Sequence, residues 1–177
     1  MQLINFDNID EMTGGGDRLP AGAYVARITK VEDVPNKQYL WVEYDIAEGQ
    51  YAGHFASVGD RPYLHRFSRS YKDTAQGFFK AFLLRLTESN RGRFDWQRWQ
   101  AACDEQQFVG LEVGIVCQEE YYTNDKGEDK TRMVVVDVIA SQDVRNGDYK
   151  LPAPVDKRKK VEAAAPADPF DDVPFRV

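Results

Sequence analysis

The stretch that most restricts the fold is residues 38–48, Gln38-Tyr39-Leu40-Trp41-Val42-Glu43-Tyr44-Asp45-Ile46-Ala47-Glu48. Leu40, Val42, Tyr44 and Ile46 alternate with Tyr39, Trp41, Glu43 and Asp45. A period of two is the signature of a strand with one face on a core. The aliphatic set is the natural core face, which leaves Tyr39 and Trp41 on the outside. A strand needs partners, and the chain supplies them on either side. Residues 22–33 follow the turn Leu19-Pro20-Ala21-Gly22 and alternate Tyr24, Ala26 and Ile28 with Val25, Arg27 and Thr29. Pro35-Asn36-Lys37 makes a tight connection between the two runs.

After Glu48-Gly49 a broken third strand is expected over 51–56 and 62–70, interrupted at Gly59-Asp60. Its second part, Arg61-Pro62-Tyr63-Leu64-His65-Arg66-Phe67-Ser68-Arg69-Ser70-Tyr71-Lys72, interleaves basic and aromatic residues more densely than any other stretch. A helix is expected from Asp73, with Gln76 three residues on as in a capping box. Ala75, Phe78, Phe79, Phe82, Leu83 and Leu86 give it a broad apolar face, and the three phenylalanines read as core. Asn90-Arg91-Gly92 ends it. A shorter helix over 95–106 starts at Asp95, with Phe94 and Trp99 at the positions of a hydrophobic staple. Two strands follow, 110–122 and 130–140, joined by the turn Asn124-Asp125-Lys126-Gly127. The β-branched run of residues 134–139 suits the second of them.

Three strands, a helix and then a hairpin is the element order of an OB-fold. The expected fold is therefore mainly β (α+β): a five-stranded barrel with a helix between strands three and four, plus a second short helix and a disordered C-terminal tail. The expected division is an N-terminal extension (1–21), the barrel (22–148), a flexible linker (149–167) and an acidic tail (168–177). The linker reading rests on Pro152, Pro154, Lys157-Arg158-Lys159-Lys160 and Ala163-Ala164-Ala165-Pro166.

Such a barrel binds single-stranded nucleic acid on its strand 2–3 face and its 1–2 and 4–5 loops. Those places hold Tyr39 and Trp41, then Arg61, Tyr63, Arg66, Phe67, Arg69, Tyr71 and Lys72, then Tyr121, Tyr122, Lys126, Lys130 and Arg132. Single strands are held by stacking of bases on aromatic rings and by a positive groove along the backbone. Trp41 is the first candidate for stacking; Tyr63 and Phe67 are the members of the run that read equally as core. The net charge of −6 excludes a uniformly basic binder, but its distribution is uneven. Residues 61–98 hold nine Lys/Arg against three Asp/Glu, whereas the segments before and after are acidic. A local basic patch captures phosphate even on an anionic protein, because screening confines charges to roughly 8–10 Å.

The C-terminal stretch Asp168-Pro169-Phe170-Asp171-Asp172-Val173-Pro174-Phe175-Arg176-Val177 combines acids, prolines and two rings. Proline suits neither a helix nor a central strand here. Asp168, Phe170, Asp171, Asp172, Pro174 and Phe175 read as a docking peptide, rings for an apolar pocket and carboxylates for a basic rim. The alternative is an end whose rings fold back on the body. Asp171-Asp172-Val173-Pro174-Phe175 resembles the acidic end of bacterial and phage single-stranded-DNA-binding proteins, which closes on Asp-Asp-x-Pro-Phe. This chain departs from that pattern by adding Arg176 and Val177.

The body carries a second resemblance. Leu19-Pro20-Ala21-Gly22-Ala23-Tyr24, Tyr44-Asp45-Ile46-Ala47-Glu48-Gly49, Arg69-Ser70-Tyr71-Lys72, Phe78-Phe79-Lys80 and Glu88-Ser89-Asn90 are similar, in the same order, to a phage early-region family classed as a domain of unknown function. The resemblance covers about residues 1–150. It implies a phage protein encoded beside recombination and replication genes, and a single-strand-binding role only indirectly. The expected partners are single-stranded DNA, and phage or host replication and recombination proteins through the tail. The alternative function is a protein-interaction adaptor or inhibitor on the same barrel, without nucleic-acid binding.

No enzyme is expected. His54 and His65 lack partners at metal-ligand spacing, Gly14-Gly15-Gly16 lacks the Lys-Ser/Thr of a phosphate loop, and Asp125, Glu128, Asp129 and Lys130 fit an ordinary charged turn. No cofactor or metal is expected. Residues 1–7 have neither the basic start nor the apolar stretch of a signal peptide, no run suits a membrane helix, and Cys103 and Cys117 read as reduced, mostly buried thiols. A location in the host bacterial cytoplasm is the expectation. The strand at 130–140 is long enough to pair across a homo-oligomer.

Overall fold

The computed structural model describes residues 18–56 and 61–158. The acidic tail, residues 159–167 of the linker, most of the N-terminal extension and the Gly59-Asp60 interruption lie outside the described residues. The elements are β1 (Gly22–Val34), β2 (Tyr39–Ile46), β3 (Arg66–Ser70), α1 (Gln76–Ser89), α2 (Trp96–Ala102), β4 (Glu112–Thr123), β5 (Asp129–Ile139), α3 (Ser141–Asn146) and β6 (Val155–Lys157). Among the described residues no helix is long and apolar enough to cross a membrane.

The strands form one mostly antiparallel sheet in the order β3-β2-β1-β4-β5, with β6 added on β4. The long first strand makes this possible. Residues 22–27 of β1 pair with β4 from Cys117 back to Glu112, while residues 26–34 pair with β2 from Ile46 back to Tyr39. A bulge between Ile28 and Lys30 increases the local twist. The expected closed, five-stranded barrel is not what forms. Among the described residues there are six strands, and the sheet is open: β3 and β5 are its two ends and are not paired to each other. The third strand is shorter than its sequence implied. Residues 51–56 are turn, Pro62–Leu64 is a single 3-10 turn, and only Arg66–Ser70 pairs, so β3 spans only part of β2.

The core follows the β2 alternation. Leu40, Val42, Tyr44 and Ile46 are all buried. They meet Ala26 and Ile28 of β1, Phe67 of β3, Val113, Ile115 and Cys117 of β4, and Phe82, Leu83 and Leu86 of α1. Each such side chain taken out of water contributes about 1.5–3 kcal/mol, which is what holds α1 over the concave face of the sheet. Phe108 is fully buried and collects Phe82, Phe94 and Trp99 around it at centroid separations of 5.8, 5.7 and 5.1 Å.

Phe78 was read as core, yet it is 80% exposed. At 100° per residue, the buried stripe of α1 centres between Phe79, Phe82, Leu83 and Leu86, and Phe78 lies roughly 90° off it in the first turn. The entry to α1 also differs in detail. Asp73–Ala75 is a 3-10 turn, and Asp73 Oδ1 accepts from the side-chain amide of Gln76 at 3.0 Å instead of capping backbone donors. The Asp95 cap of α2 forms as its sequence implies, accepting from the N–H groups of Gln97 and Arg98 at 2.8 and 3.2 Å. That helix stops at Ala102 because Cys103 adopts a left-handed conformation, φ 50°. Cys103 is consequently exposed, contrary to its expected burial; Cys117 is buried, and burial pushes its thiol up to about 12.

Two elements have no counterpart in the sequence reading. α3 follows β5 and rests Val144 above Gly114, where the backbone of β4 comes close. β6 uses the edge of β4 beyond Cys117, where β1 has run out, pairing in parallel with residues 120–122. Residues 155–157, read as linker, are thus part of the sheet. Proline at 152 and 154 delays the strand, since neither could donate to the ladder.

Candidate nucleic-acid interface

The open seam between β3 and β5 is a groove of about 790 Å³. Its walls are consecutive residues of both end strands, 66–69 on one side and 131–135 on the other. Successive strand residues point to opposite faces, so a wall built of an unbroken run is the strand's edge. The groove therefore looks onto two sheet edges at once. Arg18 and Leu19 stand at it from the start of the described chain, and Trp41, Tyr63 and Tyr122 add rings.

Four arginines line the groove: Arg18, Arg66, Arg69 and Arg132. Among the described residues that line it there is no aspartate or glutamate. In a chain with 29 acidic residues and a net charge of −6, that segregation creates a local positive field in an acidic molecule.

The β2–β3 register sets the roles of the run after Tyr63. Arg66 lies opposite Glu43, Ser68 opposite Trp41, Phe67 opposite Val42 and Arg69 opposite Leu40. Opposed residues share a face, so Arg66 and Trp41 are on the outer face and Phe67 and Arg69 on the core face. On the outer face the Arg66 guanidinium sits 4.3 Å from the Trp41 ring centroid, and Tyr39 meets the same indole edge-on at 5.2 Å. Trp41 is half-buried, its ring held in place by these two neighbours. On the core face Phe67 is only 5% exposed. It was a candidate contact residue and is instead the floor, covered by the Arg69 guanidinium at 4.6 Å.

Arg69 is the unusual group. It donates to its neighbour Ser68's carbonyl at 3.0 Å, and among the described residues it forms no ion pair with a carboxylate. Burial pushes its guanidinium down from 12.5 to about 10, with Asp137 opposing the change from a distance. A charged group that is desolvated but not ion-paired sits where an anion would find it.

The remaining candidates divide. Tyr63, a candidate contact that also reads as core, is 65% exposed at the rim and lines the groove, because Pro62–Leu64 turns there instead of continuing β3. Tyr122 lies under Arg132, whose guanidinium is 4.8 Å from the ring centroid. Arg132 also donates through Nε to Glu120 at 2.7 Å, and Lys157 of β6 grips the same carboxylate, holding it below its ordinary pKa. Tyr39, Arg61, Tyr71, Lys72, Tyr121, Lys126 and Lys130 do not line the groove. Tyr71 donates its hydroxyl to Asp33 at 2.8 Å, Tyr121 donates to Glu119 at 2.9 Å, and Lys130 pairs with Glu128 at 3.2 Å. The charged turn of the last hairpin is organised by Asn124, whose Oδ1 accepts from the N–H groups of Lys126 and Glu128. Of the nine basic residues in 61–98, Arg66 and Arg69 alone reach the groove.

The sequence reading missed Arg18, Thr131 and Met133, which also line the groove. Only the sheet order that places β5 opposite β3 could have brought them in. The loop that backs the site is fixed by Asp45, whose carboxylate accepts from the N–H groups of Phe55 at 2.9 Å and Ala56 at 3.1 Å. His65 stacks on Phe55 at 5.0 Å and donates through Nδ1 to the Tyr44 carbonyl at 2.8 Å, a structural role for both.

Comparison with protein-family models and with curated proteins finds no match for this chain.

Proposed function

We propose that the chain binds single-stranded DNA without sequence preference in the seam between β3 and β5, coating it during phage replication or recombination. The observation that carries this reading is the segregation of charge: four arginines and three accessible rings, with no acid among the described lining residues, in a chain of net charge −6. Phosphates would meet Arg66, Arg69 and Arg132, and bases would stack on Trp41, Tyr63 and Tyr122, at ~1–3 kcal/mol per base. The strand order β3-β2-β1-β4-β5, with α1 between β3 and β4, supports reading the body as an OB-type sheet left open at the seam. The motifs that resemble the phage early-region family imply this role only indirectly. The Asp-Asp-x-Pro-Phe end, in this reading, recruits replication or recombination proteins.

The test is fluorescence anisotropy of labelled oligo-dT at low and high salt, with the full chain and with a chain ending at Arg158, which keeps β6. Tight binding that weakens steeply with salt and survives loss of the tail is the expected result. The second reading, an adaptor that binds protein and no nucleic acid, is favoured by one observation: seven of the nine basic residues of 61–98 lie away from the groove. Absence of oligo-dT binding by either chain at low salt would decide for it.

A further inference from the structure

The groove is bounded by two unpaired strand edges, and unpaired edges recruit extended chain. Its charge asks for acids, and its floor at Phe67 and Met133 asks for apolar side chains. The chain enters its described body at Arg18 and Leu19, inside this groove. The seventeen residues before Arg18 contain Asp7, Asp10, Glu11 and Asp17 and no lysine or arginine. They also contain Leu3, Ile4, Phe6, Ile9 and Met12, and Gly14-Gly15-Gly16 stands between that stretch and the groove. Glycine permits the reversal that folding back would need. Ten extended residues cover about 33 Å, more than the length of the five-residue β3. The C-terminal residues 159–177 fit less well, since Lys159, Lys160 and Arg176 offset most of their four acids.

We propose that residues 3–12 occupy the seam between β3 and β5, their acids on Arg66, Arg69 and Arg132 and their apolar side chains on the Phe67–Met133 floor. The docking rests on the groove itself; only its consequence, competition with a single strand, rests on the proposed function. A tethered occupant has a high local concentration, so DNA must displace it at every binding event.

The experiment places photoreactive benzoylphenylalanine at Phe6 in the full chain and irradiates it without DNA. Intramolecular adducts to residues 66–69 or 131–135 are expected. Adducts elsewhere overturn the proposal, as do adducts found only in dimers whose yield grows with protein concentration, which would give the groove to a second copy. The same label at Phe175 serves as the rival: capture of the groove by Phe175 and not by Phe6 assigns it to the C-terminal tail. A second arm measures oligo-dT affinity of the full chain carrying Asp7→Asn, Asp10→Asn, Glu11→Gln and Asp17→Asn. Affinity should rise about tenfold at low salt and converge with the unsubstituted chain at high salt. An unchanged affinity where the unsubstituted chain binds would refute the competition. Were neither chain to bind oligo-dT, the proposed function would fail, while the Phe6 adducts would still uphold or overturn the docking.

Discussion

Arg69→Met should make the protein more stable and a worse DNA binder, and that opposition of signs is what tests the assignment. Methionine has similar length and keeps contact with Phe67 and Phe82, whose centroids lie 4.6 and 5.7 Å from the guanidinium. What it removes is a buried charge. At 1.36 kcal/mol per pH unit, the displacement from 12.5 to about 10 corresponds to about 3 kcal/mol against folding. Relaxation of a long side chain at a groove wall reduces this, so a gain of about 1–2 kcal/mol is expected. Because the folded value lies below the unfolded one, the cost is at full strength at neutral pH. It eases only as pH rises from about 10 toward 12.5, where the folded protein binds fewer protons than the unfolded chain. Loss of one charge-assisted phosphate contact, ~1.5–3 kcal/mol, should weaken oligo-dT binding about 10- to 100-fold. The slope of log affinity against log salt should become shallower by about 0.7. Urea unfolding and anisotropy read the two effects separately. A less stable variant with unchanged salt slope would refute the reasoning and make Arg69 a packing residue.

Three further perturbations bear on the same geometry. Trp41→Ala should cost oligo-dT affinity ~1–3 kcal/mol with the far-ultraviolet circular dichroism unchanged, and Trp41→Phe should recover part of it; equal affinity in all three would remove Trp41 from the interface. Gly114→Ala places a methyl 2.7 Å from Val144 Cγ2 and 2.8 Å from the Ala140 carbonyl oxygen. That crowding, part of it against backbone, should cost ~1–3 kcal/mol in urea unfolding, and an unchanged midpoint would mean that α3 yields freely. Glu120 is held below its ordinary pKa of 4.5 chiefly by its bond to Lys157, then by Arg132. Its contribution is present above that value and lost as pH falls through the depressed one, so the amide resonances of 155–157 should shift together in acid, and in Glu120→Gln already at neutral pH. Independence of those resonances from both changes would contradict an ion-paired β6.

What could be read in advance was whatever a short window decides. The β2 alternation gave the core face residue by residue, and Asp95 and Asn124 act where local hydrogen bonding places such side chains. Phe78 escapes the core because it lies roughly 90° off the buried stripe of α1, and Tyr63 because Pro62–Leu64 turns at the rim instead of continuing β3. β6 was hidden because its only signal is an edge of β4 that β1 fails to reach, a fact about the length of β1 and not about residues 155–157. The candidate site was half legible. Trp41 and the run through Arg69 stood out by composition, whereas Arg18 and residues 131–135 join them only once the ends of the sheet face each other.

The seam also accounts for why charge is concentrated there. An open edge invites pairing with other chains, and charged side chains along it are a common deterrent. Arg66 and Arg69 on β3 and Arg132 on β5 place like charges on both edges, so a second copy brought edge to edge would set arginine against arginine. The same arrangement is indifferent to a partner of opposite sign. A polyanion, or an acidic stretch of the chain itself, satisfies those charges without needing the pleat of a neighbouring sheet. In the proposed reading, the arginines that discourage edge-to-edge pairing are the same ones that select an acidic occupant. If the seam binds DNA as proposed, neutralising Arg66 and Arg132 together as Gln should weaken oligo-dT binding and its salt dependence and promote self-association. Sedimentation velocity across a concentration series reads that outcome directly, and a doubly substituted protein that stays monomeric would show that the edges are kept apart by shape alone.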